Sequence, residues 1–405
     1  MTELRRVPTG GTPRVLSSPA EFSRAAAALQ AGTGPFAIDT ERASSYRYDD
    51  RAFLVQIRRQ GAGTYLLAPE HHRRELGAAL APVLGGQEWV MHAAPSDLPC
   101  LGWLGLYPGS VFDTELAARF AGFDHPNLAA VILELFDVEL EKGYGDADWS
   151  EVPLPHQWRN YAALDVELLN EAAEALRDIL AEEEKLEWFY QECAAIQERF
   201  ADVSEPAPRS WREHKGIGSL RSPRQRAVAR ALWQRREEIA RAQDVAPGRI
   251  LPNRTLTEIA RTLPDSHYAL NKVTGFPRRR AGATVLWMDV VEQGMNATPP
   301  AMERTRNPVP SKSVWTREHP ELWADYQDLR ADFEDLAEEL HMGPDLVIKP
   351  ALLRATVWAW GGESGELAGT VRSAADVSPF LRSQGARPWQ CDVGAPIIIA
   401  GLGLR

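Results

Sequence analysis

Phe36-Ala37-Ile38-Asp39-Thr40-Glu41 decides how this chain is read. An apolar run turns into two carboxylates set two residues apart. On a β-strand alternate side chains leave the same face, so Asp39 and Glu41 project together. Burying two carboxylates side by side is costly unless a cation neutralises them. A solvent-facing strand edge is the competing explanation, and Asp-Thr-Glu alone does not separate the two.

Working outward, Ser18-Pro19-Ala20-Glu21 carries a cap, a first-turn proline and a glutamate three residues on, which predicts a helix ending at Gly32-Thr33-Gly34-Pro35. After the opening strand, Ala52–Arg58 and Thr64–Ala68 read as two more, joined as a hairpin through Gln60-Gly61-Ala62-Gly63. A helix near 70–84, a short strand at Trp89–His92, a helix beginning around Pro95-Ser96-Asp97 and another after Phe112-Asp113-Thr114 follow. The order β-β-β-α-β-α predicts an α/β domain with a mixed sheet.

Two further motifs stand on this frame. Asp97 follows a strand at a helix start, a place where an aspartate, or Ser96 beside it, is commonly a cap. Tyr161-Ala162-Ala163-Leu164-Asp165 reads as part of a helix continuing through Leu168, Leu169, Ala172, Leu176 and Ile179. The i, i+4 spacing puts Tyr161 and Asp165 on one face. Each motif alone has a structural explanation; their ordered combination is far more specific.

Asp-x-Glu on a strand, Asp after a later strand and Tyr-x-x-x-Asp on a helix resemble the DEDD exonucleases of the tyrosine subgroup. With the surrounding His92-Ala93-Ala94-Pro95-Ser96-Asp97-Leu98 and Tyr161–Val166, the sequence is similar to ribonuclease D. The histidine subgroup has its base five residues before the last aspartate, where this chain has Asn160; His156 is out of register. The resemblance implies a ribonuclease H-like exonuclease domain in which Asp39, Glu41, Asp97 and Asp165 hold two divalent cations, Mg2+ or Mn2+, with Asp39 bridging. It implies that Tyr161 orients or helps deprotonate the attacking water. A free phenol has a pKa near 10, so the orienting role is the expected one. Asp113 is expected to cap the helix starting at Thr114 and stays outside the metal set.

Charge divides the chain. Residues 1–208 carry 17 bases and 33 acids, residues 209–310 carry 19 and 9, and residues 311–405 carry 9 and 14, within a net charge of −11. The sharp swing at the middle points to a polyanionic partner for that segment, with a merely solvated face as the alternative. Three domains follow: 1–208, 209–310 and 311–405. Pro206-Ala207-Pro208 breaks a long acidic helix and marks the first linker. The stretch from Ser222-Pro223 through Leu256, Ile259 and Ala260 resembles the helicase-and-RNase-D C-terminal (HRDC) domain. The third segment repeats it about 97 residues later: Leu232, Ile239, Pro247, Leu251 and Leu256 match Leu329, Leu336, Pro344, Ile348 and Leu353. Two small all-α HRDC-type bundles are therefore expected. Surface charge inverts between them, Arg235 against Asp332 and Arg241 against Glu338. On this reading the basic copy grips RNA phosphates and the acidic copy packs against its neighbours.

Candidate RNA contacts are Arg42 after the first motif, Lys142 in the glycine-rich loop before the last motif, Arg235 and Arg241 on the basic helix, and Arg279 in a loop of three arginines. Trp149 is expected to anchor its loop from inside. The function implied is 3′→5′ exoribonucleolysis, with tRNA precursors the family's usual substrate. A single-strand DNA exonuclease and a non-catalytic RNA-binding protein are the alternatives. Three widely separated cysteines argue against a disulfide framework or zinc site, and no apolar run is long enough for a membrane span. The N-terminus has no stretch resembling a signal peptide, and a reducing cytoplasm is the expected setting.

Overall fold

The computed structural model describes residues 2–141, 143–301 and 309–405. Its organising element is a six-stranded mixed sheet in the order β2-β5-β4-β3-β6-β7. The outer strand β2 (Val15–Leu16) leads into α1 (Pro19–Ala31), where the Glu21 carboxylate accepts from the Ser18 N–H and O–H. Next come β3 (Thr33–Arg42), β4 (Ala52–Gln60) and β5 (Gly63–Leu67), an antiparallel run in which β4 and β5 form the expected hairpin. α2 (Arg73–Leu84) then crosses back so that β6 (Glu88–Met91) pairs parallel with β3. β3 is thus central, with its apolar Phe36-Ala37-Ile38 fully buried. Its pairing with β4 shifts register between Glu41 and Arg42, a bulge that frees the chain at the carboxylate end.

After β6 come α3 (Leu98–Gly102), β7 (Ser110–Asp113), α4 (Thr114–Phe120) and α5 (Leu128–Phe136). The strand β7 is not evident from sequence: four residues, three of them buried, in a parallel pairing give no alternation to read. β1 (Glu3–Arg5) and β8 (Val138–Leu140), three residues each and too short to read from sequence, pair with each other as a separate ribbon.

The helix expected to run through Asp165 is two helices, α6 (His156–Leu164) and α7 (Leu169–Glu182). The intervening turn lets Glu167, buried, accept the Thr9 N–H at 2.7 Å. The long acidic helix is also broken before the proline-rich linker, since α8 (Leu186–Phe200) starts anew after Lys185. Lys185 is buried and donates to the Phe120 carbonyl, a contact that a continuous helix would not permit.

The first helical module contains α9 (Pro223–Gln243), α10 (Pro247–Ile250), α11 (Asn253–Thr262), α12 (His267–Asn271) and α13 (Ala283–Asn296). The second contains α14 (Lys312–Glu318), α15 (Pro320–Glu339), α16 (Pro344–Val347), α17 (Pro350–Gly361), α18 (Ala374–Ser383) and α19 (Pro388–Gly401). Pro223 and Pro320, Pro247 and Pro344, and Asn253 and Pro350 begin corresponding helices, each displaced by 97 residues. Each module has its own buried cluster, around Leu232 and Trp287 in one and around Trp315 and Trp358 in the other. Met342, Leu346 and Trp389 of the second module also join a cluster under the sheet with Phe112 and Phe189. Cys100, Cys193 and Cys391 are all buried and unbonded to one another. No helix among the described residues is long and apolar enough to cross a membrane.

Candidate active site

Three elements bring the carboxylates together. Asp39 and Glu41 come from the end of central β3, and Asp165 closes α6, which packs beside β5. One oxygen from each of the three lies within 4.8 Å of the others. Asp97 arrives from the turn after β6, the strand next to β3. It does not join that threesome. Its Oδ1 accepts the Thr40 hydroxyl at 2.5 Å and lies 3.5 Å from the Arg42 guanidinium. The side chain also makes no capping bond to α3, so the cap explanation for Asp97 fails.

Gln56, which the sequence did not single out, and Asp113, through a second set of bonds, hold this arrangement. Gln56 on β4 faces Asp39 and donates to its Oδ2 at 3.3 Å. A polar residue inside the apolar run Phe53-Leu54-Val55-Gln56-Ile57 was the available signal. Asp113 caps α4 as expected, accepting from the N–H groups of Glu115 and Leu116. It also accepts from Ala93 and Ala94, at 3.0 and 2.9 Å. Those two amides sit in the turn that delivers Asp97, and Ala93 holds φ 58° there. Nothing in the sequence indicates this second task, which depends on β7 lying beside β6.

The electrostatics are those of an anion cluster in need of a cation. Desolvation pushes Asp97 up to about 6 and Asp165 up to about 7. Asp39 and Glu41 are held well above the usual carboxylate range, by desolvation first and then by repulsion from the neighbouring carboxylates. Arg42 is already engaged with Asp97 and the Ser96 carbonyl. Carboxylate oxygens at this separation suit a hard divalent cation, and the donor set passes that test.

Tyr161, one turn of α6 before Asp165, lowers that carboxyl's pKa through its phenol, against the rise from burial. Burial, and then the charges of Asp165, Glu41 and Asp39, push its phenol above its ordinary value. Its ring is braced by Tyr144, edge-on at 5.8 Å, and by Trp149 at 6.3 Å. Trp149 is buried and donates to the Tyr144 carbonyl, so it anchors its loop. His156 and Asn160 both bond Thr12 and take no part in the cleft. The cleft itself, about 200 Å3, is lined by Thr40, Glu41, Arg42, Ser44, Ser45 and Gly145–Ala147.

The expected RNA contacts are scattered. Arg42 is turned inward. Arg235 is exposed and pairs with Glu238 at 3.0 Å. Arg241 donates to the Tyr48 hydroxyl at 3.2 Å and lies over that ring. Arg279 is exposed in its loop, and Lys142 lies outside the described residues. Arg47 is occupied by Ser150 and Asp244.

Comparison with known proteins places these features. Residues 13–181 match the 3'-5' exonuclease family, 225–284 the HRDC domain, and 308–402 the 3' to 5' exonuclease C-terminal domain. The chain is 31% identical over 270 residues to Ribonuclease D of Pseudomonas paraeruginosa, covering 66% of this chain and 69% of that protein. It is 30% identical over 278 residues to the Granulibacter bethesdensis enzyme of the same name, with 66% and 69% coverage. A crystal structure of a protein from Bifidobacterium adolescentis superposes with TM-score 0.85 at 30% identity over the whole of both chains. That of Escherichia coli RNase D gives 0.65 at 22% identity, over 92% of this chain and 99% of that one, a likeness of fold.

Proposed function

This chain belongs to the ribonuclease D family and is a metal-dependent 3′→5′ exoribonuclease, and we propose that it trims tRNA precursors, releasing nucleoside 5′-monophosphates one at a time. The observation that carries the site assignment is the convergence of Asp39, Glu41 and Asp165 oxygens within 4.8 Å of one another. In this reading Asp39, Glu41, Asp97 and Asp165 hold two cations, Mg2+ or Mn2+. Bound there, the pair would supply charge neutralisation at the scissile phosphate and a more acidic attacking water. Asp97 contributes its Oδ2, because Thr40 and Arg42 occupy Oδ1. Tyr161, kept protonated, positions the water as a hydrogen-bonding partner and does not take its proton. Residues 1–208 form the catalytic unit, 209–310 the basic module that holds RNA and 311–405 the module that packs. The cytoplasm is the proposed setting.

Asp165→Asn should cut nucleotide release by at least about 10³-fold, since several kcal/mol of charge stabilisation is lost. RNA binding should survive. Release that persists in the variant, or in EDTA, removes the assignment. Matched RNA and DNA oligonucleotides with Mn2+ separate the RNA reading from DNA exonuclease action.

A second measurement needs no turnover. A carboxylate whose folded pKa is raised binds more protons folded than unfolded, so stability falls as pH rises through the window from about 4 to about 7. Metal-free protein should therefore lose Tm across that window. Mn2+ should raise Tm more above pH 7 than near pH 5. Equal shifts at both pH values would contradict the cage.

A further inference from the structure

A cavity of about 610 Å3 lies between the catalytic domain and the first helical module. Ser44 and Ser45 form its rim on the catalytic side, and the same two residues line the catalytic cleft. The two cavities therefore meet at one lip. On the far side stand Arg209, Lys215 and Arg249, with Trp233 half-buried among them.

Their charges are not all spoken for. Arg236 and Glu237 pair with each other at 3.1 Å, and Arg209 lies 3.7 Å from the same glutamate. Arg249 uses its Nε on the Ser45 carbonyl and rests over Tyr46, which fixes the guanidinium at the lip. Lys215 is exposed. Four cations thus face two anions, Glu213 and Glu237, leaving a positive basin directly beside a cluster of carboxylates. His214 also lines it, and burial and Arg236 keep its pKa low, so it adds no charge near neutrality.

We propose that this basin binds the single-stranded RNA segment just upstream of the 3′-terminal nucleotide, with backbone phosphates on Lys215 and Arg249 and a base against Trp233. Cationic grooves that carry an aromatic platform hold single strands through phosphate attraction and stacking, without reading sequence. The acidic cleft repels a polyanion, and an attractive field one lip away supplies the local concentration that the cleft cannot. The proposal rests on the exoribonuclease reading and adds what sets its dependence on substrate length: a strand must cross Ser44–Ser45 to gain the basin.

The test uses the full chain with Mn2+, a dinucleotide, and an unstructured oligoadenylate of about twenty nucleotides. Lys215→Glu should raise KM for the long strand about tenfold at low salt and lower the salt slope by about one, with kcat unchanged. Trp233→Ala should raise the same KM about five- to 100-fold, and Trp233→Phe should recover most of it. Dinucleotide kinetics should not change in any of the three. A Kd for the labelled long strand in EDTA supplies the same comparison if dinucleotide turnover is slow, and thermal melts exclude misfolding. Long-strand KM and Kd unchanged in folded Lys215→Glu and Trp233→Ala, or equal losses on both substrates, would overturn the basin. Wild-type protein that releases no nucleotide from either substrate would instead overturn the exoribonuclease reading, so the two failures are distinguishable.

Discussion

The first helical module meets the catalytic domain largely through charge, whereas the second adds a buried tryptophan seam to the ion pairs Arg119–Asp345 and Arg387–Glu192. Asp244, at the end of α9, accepts from Arg51 at 2.7 Å and Arg47 at 3.3 Å, and Arg51 also reaches Asp49 and Glu70. Tyr48 lies under Arg209 and Arg241, while the Tyr46 carbonyl accepts the Ala246 N–H. Apart from Glu70, these partners belong to the loop that follows Glu41. In the second module Trp389 is buried, stacked on Trp188 at 5.1 Å and set against Phe120 at 5.6 Å. Two helical modules whose corresponding helices start 97 residues apart thus attach with different weights of charge and apolar packing. The basic copy spends part of its charge steadying the catalytic loop; the acidic copy is welded to a different face.

The contrast can be broken at several points. Trp389→Ala should destabilise the protein by about 3–5 kcal/mol, read by denaturant unfolding, because it removes a fully packed indole. A cost under 1 kcal/mol would mean that the second module is not held by this contact. Asp244→Asn keeps a residue tolerant of the φ of 49° there while removing the charge. It should weaken docking by about 1–2 kcal/mol, read as faster hydrogen exchange at the Ala246 amide, with global stability little changed. Raising salt from about 0.1 M to about 1 M shortens the Debye length from about 10 Å to about 3 Å. The Ala246 amide should then exchange faster while amides around Trp389 do not. The smallest effect is expected at Arg235→Glu, which should lower the salt slope of RNA binding by about one, whereas Asp332→Arg in the second module should not raise RNA affinity. Unchanged affinity at low salt when Arg235 and Arg241 are both replaced by Glu would refute the division of labour.

What was legible in the sequence was what repeats or what alternates. Asp39 and Glu41 announced themselves by spacing, and the helical modules by matching apolar positions and prolines. The hairpin from Ala52 to Leu67 followed from alternation and its glycines. What escaped depended on neighbours distant in sequence. β7 is visible only beside β6, and without it Asp113 is merely a cap. Asp97 resembled a cap because its real partners, Thr40 and Arg42, are more than fifty residues away. The break at Asp165 is invisible because Leu168, Leu169 and Ala172 continue the helical period, while the need for a turn comes from Thr9. Charge alone did not separate arginines that face solvent, such as Arg235, from those consumed at a seam, such as Arg241.

The three cysteines offer a clock for these motions. Cys100 lies 3.3 Å from the Thr40 hydroxyl that holds Asp97, Cys193 shares the seam cluster with Trp389, and Cys391 sits inside the second module. Burial keeps all three thiols above their usual pKa, so a thiol-reactive dye finds little thiolate in the closed molecule. The labelling rate at each sulfur then times a separate event: opening at the carboxylates, parting of the seam, or unravelling of the second bundle.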